Sequence, residues 1–178
     1  MAIVDFGDGS RWVHSPVPGI DDVRHAVAPS AIHGHLELGA YPDAQRWGGP
    51  GLAKRRRDLT FAGELGDEPL WPDVLDQALI PQRPYGGEVV FLHRASRSLI
   101  VGDAVWNVTR DQPLRSRLWA GGVGVHPTPA FRFALRDARR AIDRILAWDF
   151  DRIVVGHGPN VDTGGHDAFA RAYRFLYH

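Results

Sequence analysis

The chain alternates short apolar runs with polar segments rich in glycine and proline, a pattern typical of β-strands joined by turns. Ala2–Phe6 and Arg11–His14 flank the turn-forming sequence Gly-Asp-Gly-Ser, so we expect an N-terminal hairpin. Val23–Ala28 is predicted to be a third strand, which Pro29 and Ser30 end. Further strands are predicted within Tyr41–Trp47, Leu59–Leu65, Val74–Ile80 and Phe150–Val155.

The clearest pair of strands lies at Glu88–His93 and Leu99–Val105, two nearly continuous apolar runs. The intervening Arg94–Ser98 has the length of a hairpin loop, so we expect antiparallel pairing. Both faces of these strands should be buried. A three-layer sandwich around a parallel sheet is the alternative, but it does not account for the hairpin. We therefore predict an α/β fold, a four-layer αβ/βα sandwich of two mixed β-sheets with outer helices.

Helical periodicity is plain in the C-terminal third. Ala130–Trp148 has apolar residues on one face and arginines on the other, which predicts a single helix. Asn107–Pro127 is glycine-rich and is predicted to be irregular, and the basic run Lys54–Arg57 is interpreted as a solvated surface turn. A last helix is predicted at His166–Leu176, with a core face made of Phe169, Ala172, Tyr173 and Leu176.

Composition narrows the function classes. The 178 residues fit a single domain, residues 1–178, and 21 basic against 21 acidic residues give no global field for nucleic acid or an acidic membrane. Without cysteine, disulfides, thiolate metal sites and a cysteine nucleophile are excluded. The acidic N-terminal stretch does not resemble a signal peptide, and no run approaches the roughly 20 apolar residues of a membrane span. We expect a soluble, cytoplasmic protein that acts on a small molecule.

His33, His35 and Glu37 place two imidazoles and a carboxylate on alternate residues. In an extended segment such side chains point the same way, so the three groups would converge on one point. Imidazole and carboxylate are ligands for zinc, iron or manganese. With nine histidines in the chain this spacing also arises by chance, and a polar loop without metal is the alternative.

Two further metal-competent residues follow apolar strands. Asp103 comes directly after Leu-Ile-Val-Gly, and His157 comes after Ile-Val-Val-Gly. Gly102, Gly156 and Gly158 would let the backbone approach a ligand closely. Because loops at the carboxyl ends of strands carry active sites in α/β proteins, we expect these loops to meet the histidine loop.

In this order the motifs resemble those of the metallo-β-lactamase superfamily. His33 and His35 match the first two histidines of its His-x-His-x-Asp-His loop, and Glu37 stands in place of the aspartate. Asp103 matches its usually bridging aspartate and His157 its last histidine. The stretches RWVHSPVP, VRHAVAPSAIHGH and EVVFLHRASRSLIVGD more narrowly resemble a divergent branch of it, known as a domain of unknown function.

Two departures from the motifs limit what the resemblance implies. Leu38 replaces a ligand of the first loop, and Pro84 stands where the histidine of the third motif is expected. The resemblance implies hydrolysis of an ester, lactone, thioester or phosphodiester by metal-activated water, with Glu37 and Asp103 as catalytic groups. The alternatives are a metal-free, catalytically degenerate binding or scaffold protein, and redox chemistry on bound iron. The implied ligands of one zinc, or iron or manganese, are His33, His35, Asp103 and His157.

The remaining histidines have structural interpretations. His14, His93 and His166 are expected to make local hydrogen bonds, whereas His126 lies in the glycine-rich stretch from which a replacement ligand could come. Three side chains would line a substrate pocket beside these motifs, namely Arg83, Tyr85 and Trp106. The alternative is that they only pack against neighbours or lie on the surface.

Overall fold

Two mixed β-sheets packed face to face form the centre of the computed structural model, which describes residues 1–177. The first sheet has the order β1 (Ala2–Asp5), β2 (Arg11–His14), β3 (Val23–Ala28), β4 (Gln45–Gly48) and β5 (Gly63–Glu64). The second has the order β11 (Arg152–Val154), β8 (Ser98–Ile100), β7 (Gly86–His93) and β6 (Leu75–Gln82). A separate two-stranded ribbon is formed by β9 (Trp106–Val108) and β10 (Gly124–His126).

Strand pairing confirms both predicted hairpins. β1 and β2 are antiparallel, and β7 and β8 are antiparallel with Leu92 opposite Leu99. The remaining strands of the first sheet run parallel, and β11 runs parallel to β8. β8 is shorter than predicted, because it ends at Ile100 and the chain from Val101 to Val105 turns into a loop.

Helices cover the outer faces of both sheets. They are α1 (Leu52–Arg55), α2 (Leu114–Ala120), α3 (Pro129–Ala134), α4 (Arg139–Leu146) and α5 (Gly165–Tyr173), with 3-10 helices at Leu36–Ala40 and Arg174–Tyr177. The last predicted helix is confirmed as α5 and the turn after it, with Phe169 and Tyr173 fully buried and Ala172 and Leu176 partly buried. Among the described residues, no helix is long and apolar enough to cross a bilayer.

The predicted single helix over Ala130–Trp148 is wrong, because the chain breaks between α3 and α4. Leu135 leaves the helical conformation, and Asp137 has a φ of 48°. At the break, the Arg83 N–H donates to the Ala134 carbonyl at 2.9 Å, and the Arg136 N–H donates to the Pro81 carbonyl at 3.3 Å. The Ala134 carbonyl and the Arg136 N–H are therefore paired with the chain at the edge of β6. They cannot also make the hydrogen bonds of a continuous helix.

Two other local predictions are also wrong. Asn107–Pro127 is not irregular, because it contains most of β9, all of α2 and β10. The boundaries of α2 have typical signals, with Pro113 at its start and Gly121 in a left-handed conformation at its end. The high glycine content of the segment led to the prediction of irregular structure despite these signals. The basic run is solvent-exposed at Lys54, Arg55 and Arg57 as predicted, but it is not a turn throughout, since Lys54 and Arg55 belong to α1.

The core has the three interior layers that a four-layer sandwich requires. Along β7, Val89 and Phe91 face the first sheet, whereas Val90 and Leu92 face α4 and α5. On the outer face of β3, Ala28 packs against Leu38 and Leu52. This alternation confirms the predicted architecture, in which two sheets lie between two outer layers of helix.

Between the sheets lies an aromatic cluster that contains a buried histidine. His25 packs edge-on against Trp71 with ring centroids 5.3 Å apart, and Trp47 packs edge-on against Trp71 at 5.6 Å. Trp47 Nε1 donates to His25 Nδ1 at 3.2 Å, which requires an unprotonated Nδ1. Burial, followed by the charge of Arg24, lowers the pKa of His25.

The lowered pKa of His25 predicts a pH-dependent loss of stability. As the pH falls below about 6.5, His25 is protonated in the unfolded state before it is protonated in the folded state. The free energy of unfolding therefore falls by at most about 1.4 kcal/mol per pH unit. His25→Asn keeps an acceptor near Nδ1 but does not titrate, and it should lose less stability than wild type between pH 7.5 and 5.5. Urea unfolding at both pH values tests this. Equal losses in both proteins would contradict it.

Candidate metal centre

Three loops that are distant in sequence meet at one edge of the sandwich. His33 follows β3, Asp103 follows β8 and His157 follows β11. One ligand atom from each residue lies within 4.8 Å of the others. β8 and β11 are parallel neighbours, so their carboxyl ends bring Asp103 and His157 together. The structure therefore gathers three of the four metal ligands predicted from the sequence.

Asp103 is the centre of this group. Its Oδ1 lies 3.3 Å from His33 Nδ1 and 3.2 Å from His157 Nε2, and it accepts a hydrogen bond from Trp106 Nε1 at 3.1 Å. Burial acts to raise the pKa of Asp103, but the neighbouring N–H groups and charges of His157 and His33 outweigh it and hold the pKa well below its usual range. Asp103 is therefore ionised at neutral pH, the state that a metal ligand needs.

Two glycines seat the ring of His33. A Cβ on Gly102 would lie 2.9 Å from His33 Cδ2, and a Cβ on Gly156 would lie 2.8 Å from His33 Cε1. Burial lowers the pKa of His33, but the contact with Asp103 and the charge of Glu88 raise it overall. Both glycines were predicted to let the backbone approach a ligand. In the structure they let the backbone approach the His33 imidazole instead.

His157 forms the open side of the group. Its side chain is 42% exposed, compared with 14% for His33 and 20% for Asp103. The ring stacks on Trp106 with centroids 4.0 Å apart and planes inclined by 30°. The Asn107 N–H donates to the His157 carbonyl at 3.0 Å, which ties this loop to β9. A small molecule can therefore reach the group from the His157 side.

The expectation that His33, His35 and Glu37 share one face is wrong. Gly34 has a φ of 72°, and His35 directly precedes the 3-10 helix at Leu36–Ala40, so the segment is a turn rather than extended chain. The carbonyl of His35 accepts from Arg56 Nη1 at 2.5 Å, and its buried Nδ1 has no hydrogen-bond partner. Glu37 is exposed on the same 3-10 helix. Both residues lie outside the group of three.

Glu88 is the site residue that sequence reasoning missed. Its carboxylate is 1% exposed and accepts N–H bonds from Gly102 at 2.8 Å, Asp103 at 2.7 Å and Ala104 at 3.1 Å. Burial, followed by the charge of Asp103, raises the pKa of Glu88 to about 7, although His33 and the N–H donors oppose this. The available signal was a carboxylate at the head of an otherwise apolar strand.

A hydrogen bond from α5 also holds the loop that carries Asp103. Tyr173 of α5 is fully buried, and its hydroxyl donates to the Ala104 carbonyl at 2.7 Å. The loop that carries Asp103 is therefore held by a carboxylate on its N–H groups and by a phenol on a carbonyl. Buried bonds of this kind are costly to break, so the loop is positioned independently of any bound ion.

The other histidines within residues 1–177 lie outside the group. His14 is buried, and burial followed by the charge of His33 holds its pKa well below its usual range, so this ring is neutral near the site. The ring nitrogens of His126 face the Pro127 and Gly122 carbonyls, so it supplies no replacement ligand to the group. His93 contacts Ser96, and His166 contacts the Leu146 carbonyl, as expected of structural histidines.

The predicted pocket residues separate in the structure. Trp106 is at the group of three, through its contacts with Asp103 and His157. Pro84 and Tyr85 instead line a different depression of about 470 Å³, together with Lys54 and Arg55. The third-motif position therefore contributes no metal-binding atom to the group.

No protein-family model and no curated protein sequence matches the chain. Solved structures do match. The DIM-1 metallo-β-lactamase superposes with a TM-score of 0.65 at 12% identity, covering 98% of this chain and 86% of that one. TTHA1623 in a di-iron-bound form gives 0.60 at 18% identity, covering 98% and 93%. The metal-soaked Flv1 flavodiiron core from Synechocystis sp. PCC6803 gives 0.57 at 13% identity, covering 95% and 50%.

These superpositions, together with the layer order and strand pairing, establish a metallo-β-lactamase-like fold, as the motifs predicted. The similar structures include metal-bound proteins, and the group of three in this chain offers a possible site of imidazole and carboxylate ligands. At 12–18% identity the likeness concerns the fold.

The glycine seat of His33 makes Gly156→Ala a direct test of the site geometry. The new Cβ would lie 2.5 Å from the Gly102 carbonyl oxygen, so the two loops must separate. We expect a loss of about 1–3 kcal/mol in urea unfolding and a shifted His33 ring signal in NMR spectra. Gly66→Ala is the matched control, because nothing lies within 4 Å of its added Cβ. Equal stability of the two variants would contradict the claim that the close approach of Gly156 and Gly102 positions the His33 ring.

Glu88→Gln should destabilise the Asp103 loop, because an amide NH₂ would replace one oxygen that accepts a backbone N–H. The Gln oxygen would keep the Gly102 and Ala104 N–H bonds, so the expected loss is about 1–3 kcal/mol, with faster hydrogen exchange at Asp103. The exposed Glu68→Gln is the control for loss of one charge. If Glu88→Gln matches this control in stability and in exchange, Glu88 does not hold the loop.

Proposed function

We propose that this protein is a metal-dependent hydrolase that binds one divalent ion through His33, Asp103 and His157. The observation that carries the proposal is the convergence of two imidazoles and an ionised carboxylate within 4.8 Å, open on the His157 side. Three nitrogen and oxygen ligands with an open position fit a catalytic zinc, and iron or manganese fits the same donors. The ion would supply an activated water for attack on an ester, lactone, thioester or phosphodiester.

The surrounding residues hold the ligands in place. Glu88 fixes the backbone of the Asp103 loop, and Trp106 donates to the Asp103 carboxylate. Gly102 and Gly156 set the position of the His33 ring. Such a prepared arrangement lowers the cost of assembling the site when substrate binds. Glu37, proposed from the sequence as a base, is exposed and outside the group, so we assign it no proton transfer.

A second candidate function is a metal-free binding or scaffold protein. One observation favours it, because Asp103 Oδ1 has three nitrogen neighbours, His33, His157 and Trp106, that can pair with it. A carboxylate between two imidazoles can be a closed polar network that serves stability alone. Leu38 and Pro84 at two ligand positions of the family motif agree with this interpretation.

Under either candidate we propose a cytoplasmic location and a small-molecule ligand. Equal numbers of basic and acidic residues support a ligand other than nucleic acid.

Metal content of protein purified without chelator separates the two candidates. We expect about one equivalent of zinc, iron or manganese, and a rise in melting temperature when that metal is added to stripped protein. Asp103→Asn and His157→Asn should abolish both effects. His35→Asn and His126→Asn should retain them, because these residues lie outside the group.

Less than roughly a tenth of an equivalent, with no metal-induced rise in melting temperature, would remove the hydrolase in favour of the metal-free protein. Loss of metal in His35→Asn would instead restore the four-ligand site that the sequence predicted. An iron-dependent visible spectrum that changes with reductant would favour redox chemistry.

A further inference from the structure

An apolar pocket adjoins the group of three. Trp106, Arg115, Ser116 and Trp119 line a cavity of about 480 Å³. Trp106 belongs to β9, and the other three belong to α2. Because Trp106 also contacts Asp103 and His157, one side chain forms a wall of the pocket and a wall of the site.

Three rings run in sequence from the site to the surface. His157 and Trp106 have centroids 4.0 Å apart, and Trp106 and Trp119 have centroids 5.1 Å apart with planes inclined by 44°. The Trp106 indole is fixed by its hydrogen bond to Asp103 Oδ1, whereas Trp119 is 64% exposed. The two indoles are in contact with each other, so a flat apolar group in the cavity would lie against them, with the Trp106 ring between it and His157.

Helix α2 exposes apolar surface that the fold itself does not use. Leu114 is 63% exposed and Leu118 is 71% exposed, while Ala120 is the helix's one buried residue. Leu114 and Leu118 are one helical turn apart but neither lines the pocket, so the apolar contact available to an occupant comes from Trp106 and Trp119. An apolar pocket beside a polar site is typical of a ligand-binding site.

We propose that the pocket lined by Trp106 and Trp119 binds the aryl or apolar acyl group of a carbonyl substrate, an ester, thioester or lactone. This inference rests on the proposed hydrolase function for the reaction, and on continuity of the pocket with the site for the occupant. Arg115 is the one charged side chain that lines the pocket, where it can pair with an anionic substituent of such a group.

Binding can be tested without turnover, using naphthalene-2-carboxylate on the metal-stripped full chain. Its rings suit the indoles, and its carboxylate can meet Arg115. We expect the indole N–H signals of Trp106 and Trp119 to shift in NMR spectra while those of the other four tryptophans stay fixed. Trp119→Ala should weaken binding roughly 5- to 10-fold, and Trp119→Phe should restore part of it.

Phe133→Ala is the matched control, because Phe133 is 83% exposed but does not line the pocket. Shifts spread over all six tryptophans, equal weakening by Phe133→Ala, or no binding at millimolar probe would overturn the pocket. In metal-loaded protein, Trp119→Ala should lower kcat/KM for 4-nitrophenyl benzoate more than for 4-nitrophenyl acetate. Equal losses for the two esters would overturn the substrate assignment. Absence of bound metal, by contrast, overturns the proposed hydrolase and leaves the binding result standing.

Discussion

A single buried carboxylate organises the site. Glu88, at the start of β7, accepts the N–H groups of three successive residues in the loop after β8. Few groups other than a carboxylate can accept three backbone bonds in so small a space, and leaving these donors unpaired in the interior would be costly. The position of Asp103 therefore depends on a residue that makes no direct contact with its side chain.

The rest of the group follows from this loop. Gly102 and Gly156 bring two strand ends close enough that their backbones hold the His33 ring between them. The Gly156 N–H donates to the Gly102 carbonyl at 3.2 Å, so the seat is itself hydrogen-bonded. Trp106 donates a hydrogen bond to Asp103 and stacks on His157, and it lies between the site and α2. Support thus passes from the core outward to His157, the most exposed side chain of the three.

Local patterns predicted the features that depend on neighbours in sequence. The β7–β8 hairpin could be predicted because both strands are apolar and the loop between them is short. That Asp103 and His157 lie just after β8 and β11 could be predicted because Gly-Asp and Gly-His interrupt apolar runs. What could not be predicted depends on distant contacts or backbone conformation. Gly34 turns the chain between His33 and His35, and only the folded loop assigns Glu88 its three donors.

The break between α3 and α4 has a consequence for self-association. β6 is the edge strand of the second sheet, and an open edge invites pairing with another chain. Here the Leu79 N–H donates to Asp67 Oδ1 at 3.0 Å, Pro81 has no N–H, and the Arg83 N–H donates to the Ala134 carbonyl. The interrupted helix therefore blocks the Pro81–Arg83 end of this edge, whereas Asp67 blocks it at Leu79. A sequence that ran α3 and α4 into one helix would gain local regularity and leave that end open to intermolecular β-pairing.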